Sequence, residues 1–156
     1  MKNFLFLFII VCSSISCQED IKFNNPAIQA QKQGVLWRAN DFKATLTADG
    51  KVVIVGNRGL ESISIKTFTI APHKSILGID ALNFAEYTNK VVGSKGNYST
   101  GFNGGDGEVV IDKYENGTLT GSFKFKAINT NIQLESPDAT NFTQGVFYKI
   151  PVIKVK

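Results

Sequence analysis

The sequence predicts an all-β protein, an antiparallel β-sandwich, with a partly open antiparallel β-barrel as the alternative. Three observations lead there. From Gly34 onward apolar residues recur at every second position, which is the period of a strand. Two pairs, Asp49-Gly50 and Asn116-Gly117, sit between such runs and tolerate the positive φ angles that tight hairpin turns require. No long helical stretch separates the runs, which disfavours crossover units and parallel sheets.

The chain starts with Met1-Lys2-Asn3, then an uninterrupted apolar run from Phe4 to Val11, then Cys12-Ser13-Ser14-Ile15-Ser16-Cys17. A charged start, a short apolar stretch and small residues before a cut form a secretory signal, here 1–16. The run is far shorter than the ~20 residues that span a bilayer. Ser16 beside Cys17 is the pattern of lipoprotein processing and makes Cys17 the lipidation site. Ser14 and Ile15 depart from the common order of an aliphatic and a small residue, so cleavage by an ordinary signal peptidase is the alternative. Two or three acyl chains, at ~0.8 kcal/mol per buried CH₂, would make release negligible. Cys12 leaves with the signal, so the mature domain has no disulfide and must rely on its core.

Residues 17–33 read as a lipid-anchored flexible tether. Asn24-Asn25-Pro26, Gln29, Gln31 and Gln33 fall in it without an apolar period. The single β domain is then expected over 34–156, with a first strand near 35–39. Phe42, Ala44 and Leu46 precede Asp49-Gly50, and Val52 to Val55 follow it. In 60–70, Ile63 and Ile65 alternate with Ser62, Ser64 and Lys66 before the register moves to Phe68 and Ile70, which predicts a bulge near Lys66-Thr67. Residues 78–87 suffice for a turn or two of helix, although Gly78 and Asn83 weigh against a long one. Further strands are expected near 83–88, 97–102 and 145–153. The clearest hairpin joins about 107–115 to 118–128 through Asn116-Gly117. In its second strand Leu119, Phe123, Phe125 and Ala127 share one face, and Thr120, Ser122, Lys124 and Lys126 the other. One face dry and one wet favours antiparallel pairing.

The chain has 17 basic and 13 acidic residues, for +4, and losing Lys2 with the signal leaves +3. No stripe of positive charge appears, the longest patch being Lys124 and Lys126, so nucleic acid is not expected as a partner.

Chemistry is sparse. His73 is the single histidine, and it follows Pro72 in a polar stretch read as an exposed loop. With Cys17 lipidated, neither a thiol nucleophile nor a Cys/His zinc site can be assembled. Gly101-Phe-Asn-Gly-Gly-Asp-Gly-Glu108 is read as a hairpin loop. Its oxygens at Asn103, Asp106 and Glu108 are candidates for a weak calcium-binding loop, three of the six to eight ligands such an ion takes. Glu108 and Asp112 would stand roughly 13 Å apart along a strand, beyond the ~5–9.5 Å of glycosidase carboxylates. Trp37 is expected to pack in the core and not to serve as a sugar-stacking platform. No catalytic residue, metal site or cofactor is expected.

The stretch from Gly107 to Ala127 carries a Gly-x-Val-x-Ile strand, a hairpin and a Gly-Ser-Phe-x-Phe strand. Gly145-Val-Phe147 and Ile150-Pro151 follow it, and Trp37 precedes it after a polar linker. This pattern resembles small Bacteroidota lipoproteins grouped only as a domain of unknown function. The resemblance implies fold and address, and no site residue. Gln18-Glu19-Asp20 is similar to the acidic tag behind the lipidated cysteine of surface lipoproteins there. The expected location is therefore the outer membrane, with the cell surface ahead of the periplasmic face. The expected role is a non-catalytic binding module for a protein or glycan partner, held to the membrane by its lipid. A structural part of an envelope assembly is the alternative, and a carboxylate-based hydrolase a more distant one.

Overall fold

The computed structural model describes residues 25–131 and 136–155. The signal, Cys17 and the acidic tag lie outside the described residues. Eleven strands make up the fold: β1 (Ala27–Lys32), β2 (Val35–Arg38), β3 (Asp41–Leu46), β4 (Val52–Arg58), β5 (Glu61–Thr67), β6 (His73–Leu77), β7 (Phe84–Asn89), β8 (Gly96–Ser99), β9 (Asp106–Glu115), β10 (Thr118–Asn129) and β11 (Ala139–Lys154). The protein is all-β, and no helix occurs among the described residues, 78–87 included.

The strands pair in the order β2-β1-β11-β3-β4-β5-β7-β8-β10-β9-β6, and β10 also pairs with β11. The middle of this series therefore closes into a ring of hydrogen bonds. Two links of the ring are short. β11 meets β3 only at Val152–Lys154, where the strands run parallel, and β10 meets β8 only at Ile128 and Asn129. These links act as corners between two broader sheets, β2-β1-β11-β10-β9-β6 and β3-β4-β5-β7-β8. The parallel corner is the exception to the antiparallel pairing that the sequence led us to expect.

The inner faces meet in one aromatic core. Along β10, Leu119, Gly121, Phe123, Phe125 and Ala127 are buried, and Lys124 and Lys126 are exposed. Rings of β10 and β11 form a ladder: Phe147 to Phe123 at 6.5 Å, Phe123 to Phe125 at 6.0 Å and Phe125 to Phe142 at 4.8 Å between centroids. Across the gap Tyr87 of β7 sets its ring 5.2 Å from Phe142, and within the same sheet as Phe142 Trp37 of β2 makes an edge-to-face pair with it at 6.1 Å. Trp37 is fully buried, as its expected packing role requires.

Both expected hairpins are present. Glu115 pairs with Thr118 around Asn116 and Gly117, at φ 49° and 72°. The β3–β4 turn is wider: the Thr47 N–H donates to Lys51 O, and the Gly50 N–H to Thr47 O.

Four expectations need correction. The expected tether ends too late, because residues 27–32 are strand β1, with Ala27, Ile28 and Ala30 buried. Gln33 and Gly34, at φ 48° and 81°, turn β1 into β2. No bulge interrupts β5, whose pairing with β4 runs unbroken from Glu61 to Thr67. Thr67 takes the inward position instead, fully buried, and Phe68 lies beyond the strand end. The stretch from His73 is strand β6, paired along β9. The glycine-rich stretch after β8 is not a hairpin loop, because β10 lies between β8 and β9 in the pairing order; it carries the chain from one sheet to the other.

Candidate functional site

A well-formed concavity lies on the outer face of β2, β1 and β11. It is a groove of about 510 Å³ lined by Gln29, Ala30, Gln31, Leu36, Arg38, Gln144 and Val146. Strand register explains why these residues meet. Gln29 pairs with Arg38 on one side and Val146 on the other, and Gln31 pairs with Leu36 and Thr143. Two cross-strand rows thus lie side by side, each spanning roughly 10 Å at ~4.8 Å per strand step.

A bulge in β11 completes the lining. Against both β1 and β10 the register slips by one residue here, between Gln29 and Gln31 and between Phe123 and Phe125. Thr143 and Gln144 consequently both face outward, and Gln144 holds a φ of 50°. Left-handed backbone is uncommon for a side-chain-bearing residue, and bulges re-aim side chains next to functional sites. Within the described residues the side chains of Gln29, Gln31, Gln144 and Arg38 make no hydrogen bond or ion pair. The groove therefore offers three amides, one guanidinium and an aliphatic floor, with no carboxylate among the described residues of its lining.

The second constellation lies between β5 and β6. His73 Nδ1 is 2.6 Å from Ala71 O, which fixes the proton on Nδ1. Nε2 is 2.8 Å from Ser75 Oγ and 2.9 Å from Thr67 Oγ1. An oriented imidazole facing a serine is the geometry of a base and its nucleophile. Ser75 is only 4% exposed and Thr67 not at all, and the Phe68 ring sits 4.8 Å from the imidazole. With no room beside Ser75 Oγ for a reacting carbon, the cluster instead satisfies two buried hydroxyls. His73 is thus half-buried and fully bonded.

A third group ties the sheets together. Lys32 of β1 and the Tyr87 hydroxyl both donate to Glu61 Oε1, and Lys32 Nζ lies 2.6 Å from the Tyr87 oxygen. Burial pushes the Glu61 carboxyl up, but the bonds from Lys32 and Tyr87 outweigh it and hold it below its ordinary value. Burial, then the neighbouring carboxylate, raises the Tyr87 phenol. With Tyr87 only 2% exposed, this is an internal clamp.

The candidate calcium oxygens are differently engaged. Asn103 sits in a left-handed turn at φ 44°, and Asp106 stands at the start of β9, opposite Lys126 in the β9–β10 register. Glu108 lies between Lys74 at 2.7 Å and Lys124 at 3.3 Å, which hold its carboxyl below the usual range. Among the described residues no three His, Cys, Asp or Glu side chains gather closely enough to hold a metal ion. Asp112 falls at the β9 register shift opposite Thr120 and Gly121.

Sequence reasoning missed the groove because Gln29 and Gln31 were assigned to a tether. The signal was there in Ile28, Ala30 and Lys32 alternating with Gln29 and Gln31 ahead of Gln33-Gly34, but alanine makes a weak apolar period.

No curated protein and no solved structure matches the chain. Residues 24–151 match a family described as a domain of unknown function, DUF6252. That span starts just before β1 and ends inside β11, so it takes in the groove, the clamp and the whole aromatic core. The chain belongs to the DUF6252 family.

Proposed function

We propose that this protein is a lipid-anchored module of the bacterial cell envelope that binds a partner through the β2-β1-β11 groove and catalyses nothing. The anchor reading rests on the short apolar run followed by Ser16-Cys17, and the outer-membrane reading on the acidic tag behind it. The binding reading rests on one observation: three amides and a guanidinium without internal partners line a concavity beside a left-handed bulge. Binding sites of this kind set a few placed polar groups against an apolar floor. Among the described residues the catalytic-looking pair His73 and Ser75 has its serine buried, which weighs against a serine hydrolase.

The test uses the full chain in its native membranes. Cys17→Ser should move the protein to the soluble fraction and abolish labelling by a palmitate analogue. Separately, wild type and the pair Arg38→Ala with Gln144→Ala should be purified from detergent extracts. A component retained by wild type and lost from the double variant, at unchanged melting temperature, supports the groove. Identical retention by both removes it. A structural role in an assembly is the second reading, favoured by the edge strand β2, where Val35 and Leu36 are 68% and 55% exposed. It predicts loss of retention on Val35→Asp and none on Gln144→Ala.

A further inference from the structure

Resting on that binding reading, we infer that the groove takes an acidic oligosaccharide, with Arg38 holding a sugar carboxylate and Gln29, Gln31 and Gln144 holding hydroxyls. Each side-chain amide offers two donors and an acceptor. A ligand that fits three of them must present donors and acceptors together along its length, which is what neighbouring sugar hydroxyls do. The floor of Leu36 and Val146 is aliphatic and shallow, matching the C–H face of a sugar ring. It forms no deep apolar socket for a peptide side chain.

The recognising groups also lie on the face of the sheet and not along its edge. A peptide added to β2 as a new strand would use the backbone edge and leave Gln29, Gln31 and Gln144 out of the contact. Charge selects among sugars. Arg38 is the only charged residue in the lining and has no ion pair within the described residues. Its planar fork matches a carboxylate in two parallel hydrogen bonds. Arg58 stands nearby, donating to Leu36 O at 3.4 Å, but its charge is matched by Glu61 at 3.9 Å, so Arg38 carries the selection alone. The footprint of two rows across three strands accommodates a short stretch of chain, so an oligomer should bind better than a monosaccharide.

Titration of the full protein, in detergent or as Cys17→Ser, with trigalacturonic acid tests this by calorimetry and by NMR of the side-chain NH₂ groups. The acid should bind at least tenfold more tightly than its carboxyl-reduced neutral counterpart, with shifts at Gln29, Gln31 and Gln144. Arg38→Gln should remove that tenfold preference, and Gln31→Ala should weaken both sugars alike. Equal affinity for acid and neutral sugar, or a preference surviving Arg38→Gln, overturns the assignment of the carboxylate. Tighter binding of a triglutamate peptide at the same amides overturns the sugar class and leaves a binding groove. No shift from any of the three probes at millimolar concentration overturns the proposal, while the membrane retention experiment decides the binding reading independently.

Discussion

Gly121 and Gly145 show how closely the backbone of β10 and β11 approaches its neighbours. A Cβ on Gly145 would lie 2.5 Å from Phe123 O and 2.6 Å from its ring; on Gly121 it would lie 2.1 Å from Val110 O. These glycines let the aromatic ladder stack without a gap. Gly145→Ala is expected to cost about 3 kcal/mol by overpacking. Gly117→Ala, strained only by its φ of 72° with nothing within 4 Å, should cost about 1 kcal/mol. Urea unfolding of the two variants checks the order. Glu61 adds a pH term. Its folded value lies below the ordinary 4.5, so its contribution is complete above 4.5 and is lost as pH falls from there through the lowered value. Glu61→Gln should therefore flatten the acid limb of stability measured between pH 3 and 7, and an unchanged limb would remove the clamp from the account. At this scale much was legible: Phe123, Phe125 and Trp37 take the core places their types and alternation predicted. The clamp was not, because Lys32 of β1 reaches Glu61 and Tyr87, on the paired strands β5 and β7, only through the facing of two sheets.

At the scale of elements, legibility followed the strength of the local signal. Asn116-Gly117 between β-branched and aromatic alternation was enough to place β9 and β10 within a residue of their observed bounds. β1 escaped because its inward positions, Ile28, Ala30 and Lys32, hold one small and one charged residue and its outward ones are glutamines, a composition shared with linkers. β6 escaped because its inward Ser75 carries a hydroxyl that reads as polar until it is satisfied by His73, two residues earlier in the same strand, and by Thr67 at the end of β5. The same fact explains the unbroken β5, where Thr67 can point inward because a partner awaits it. Thr67→Val is expected to cost about 1–2 kcal/mol, since it leaves the buried hydroxyl of Ser75 and the imidazole with one partner fewer. The status of β1 is testable more bluntly. A chain beginning at Val35 lacks Ala27, Ile28 and Ala30 and should show no cooperative melt, whereas one beginning near Ile21 should. Equal melts would return residues 27–32 to the role of a tether.

For the whole molecule, the ring of strands and its aromatic core are expected to supply stability without a metal or a disulfide. Thermal unfolding of the mature domain should then have the same midpoint with and without EDTA, and with calcium restored. A calcium-dependent rise of many degrees would promote Asn103, Asp106 and Glu108 to ligands, because an ion that binds only the folded state raises its apparent stability. The fold class was legible from period and turns, but the ring was not. It depends on β11 being long enough to pair with β10 along one edge and with β1 and then β3 along the other, which no local pattern announces.

That reach of β11 sets a timetable for folding. Ala27 finds its partner in Tyr148, over a hundred residues further on, and Ala44 finds one of its two in Val152. Chains whose pairings are this distant fold slowly, because the entropy of closing the intervening loop is lost before any contact repays it. A ribosome or translocation channel delivers the first strands long before the last, so β1 and β3 must wait with their apolar faces uncovered until residues 139–154 emerge. A chain stalled short of residue 139 has no half-domain to settle into, and is left to chaperones or proteases.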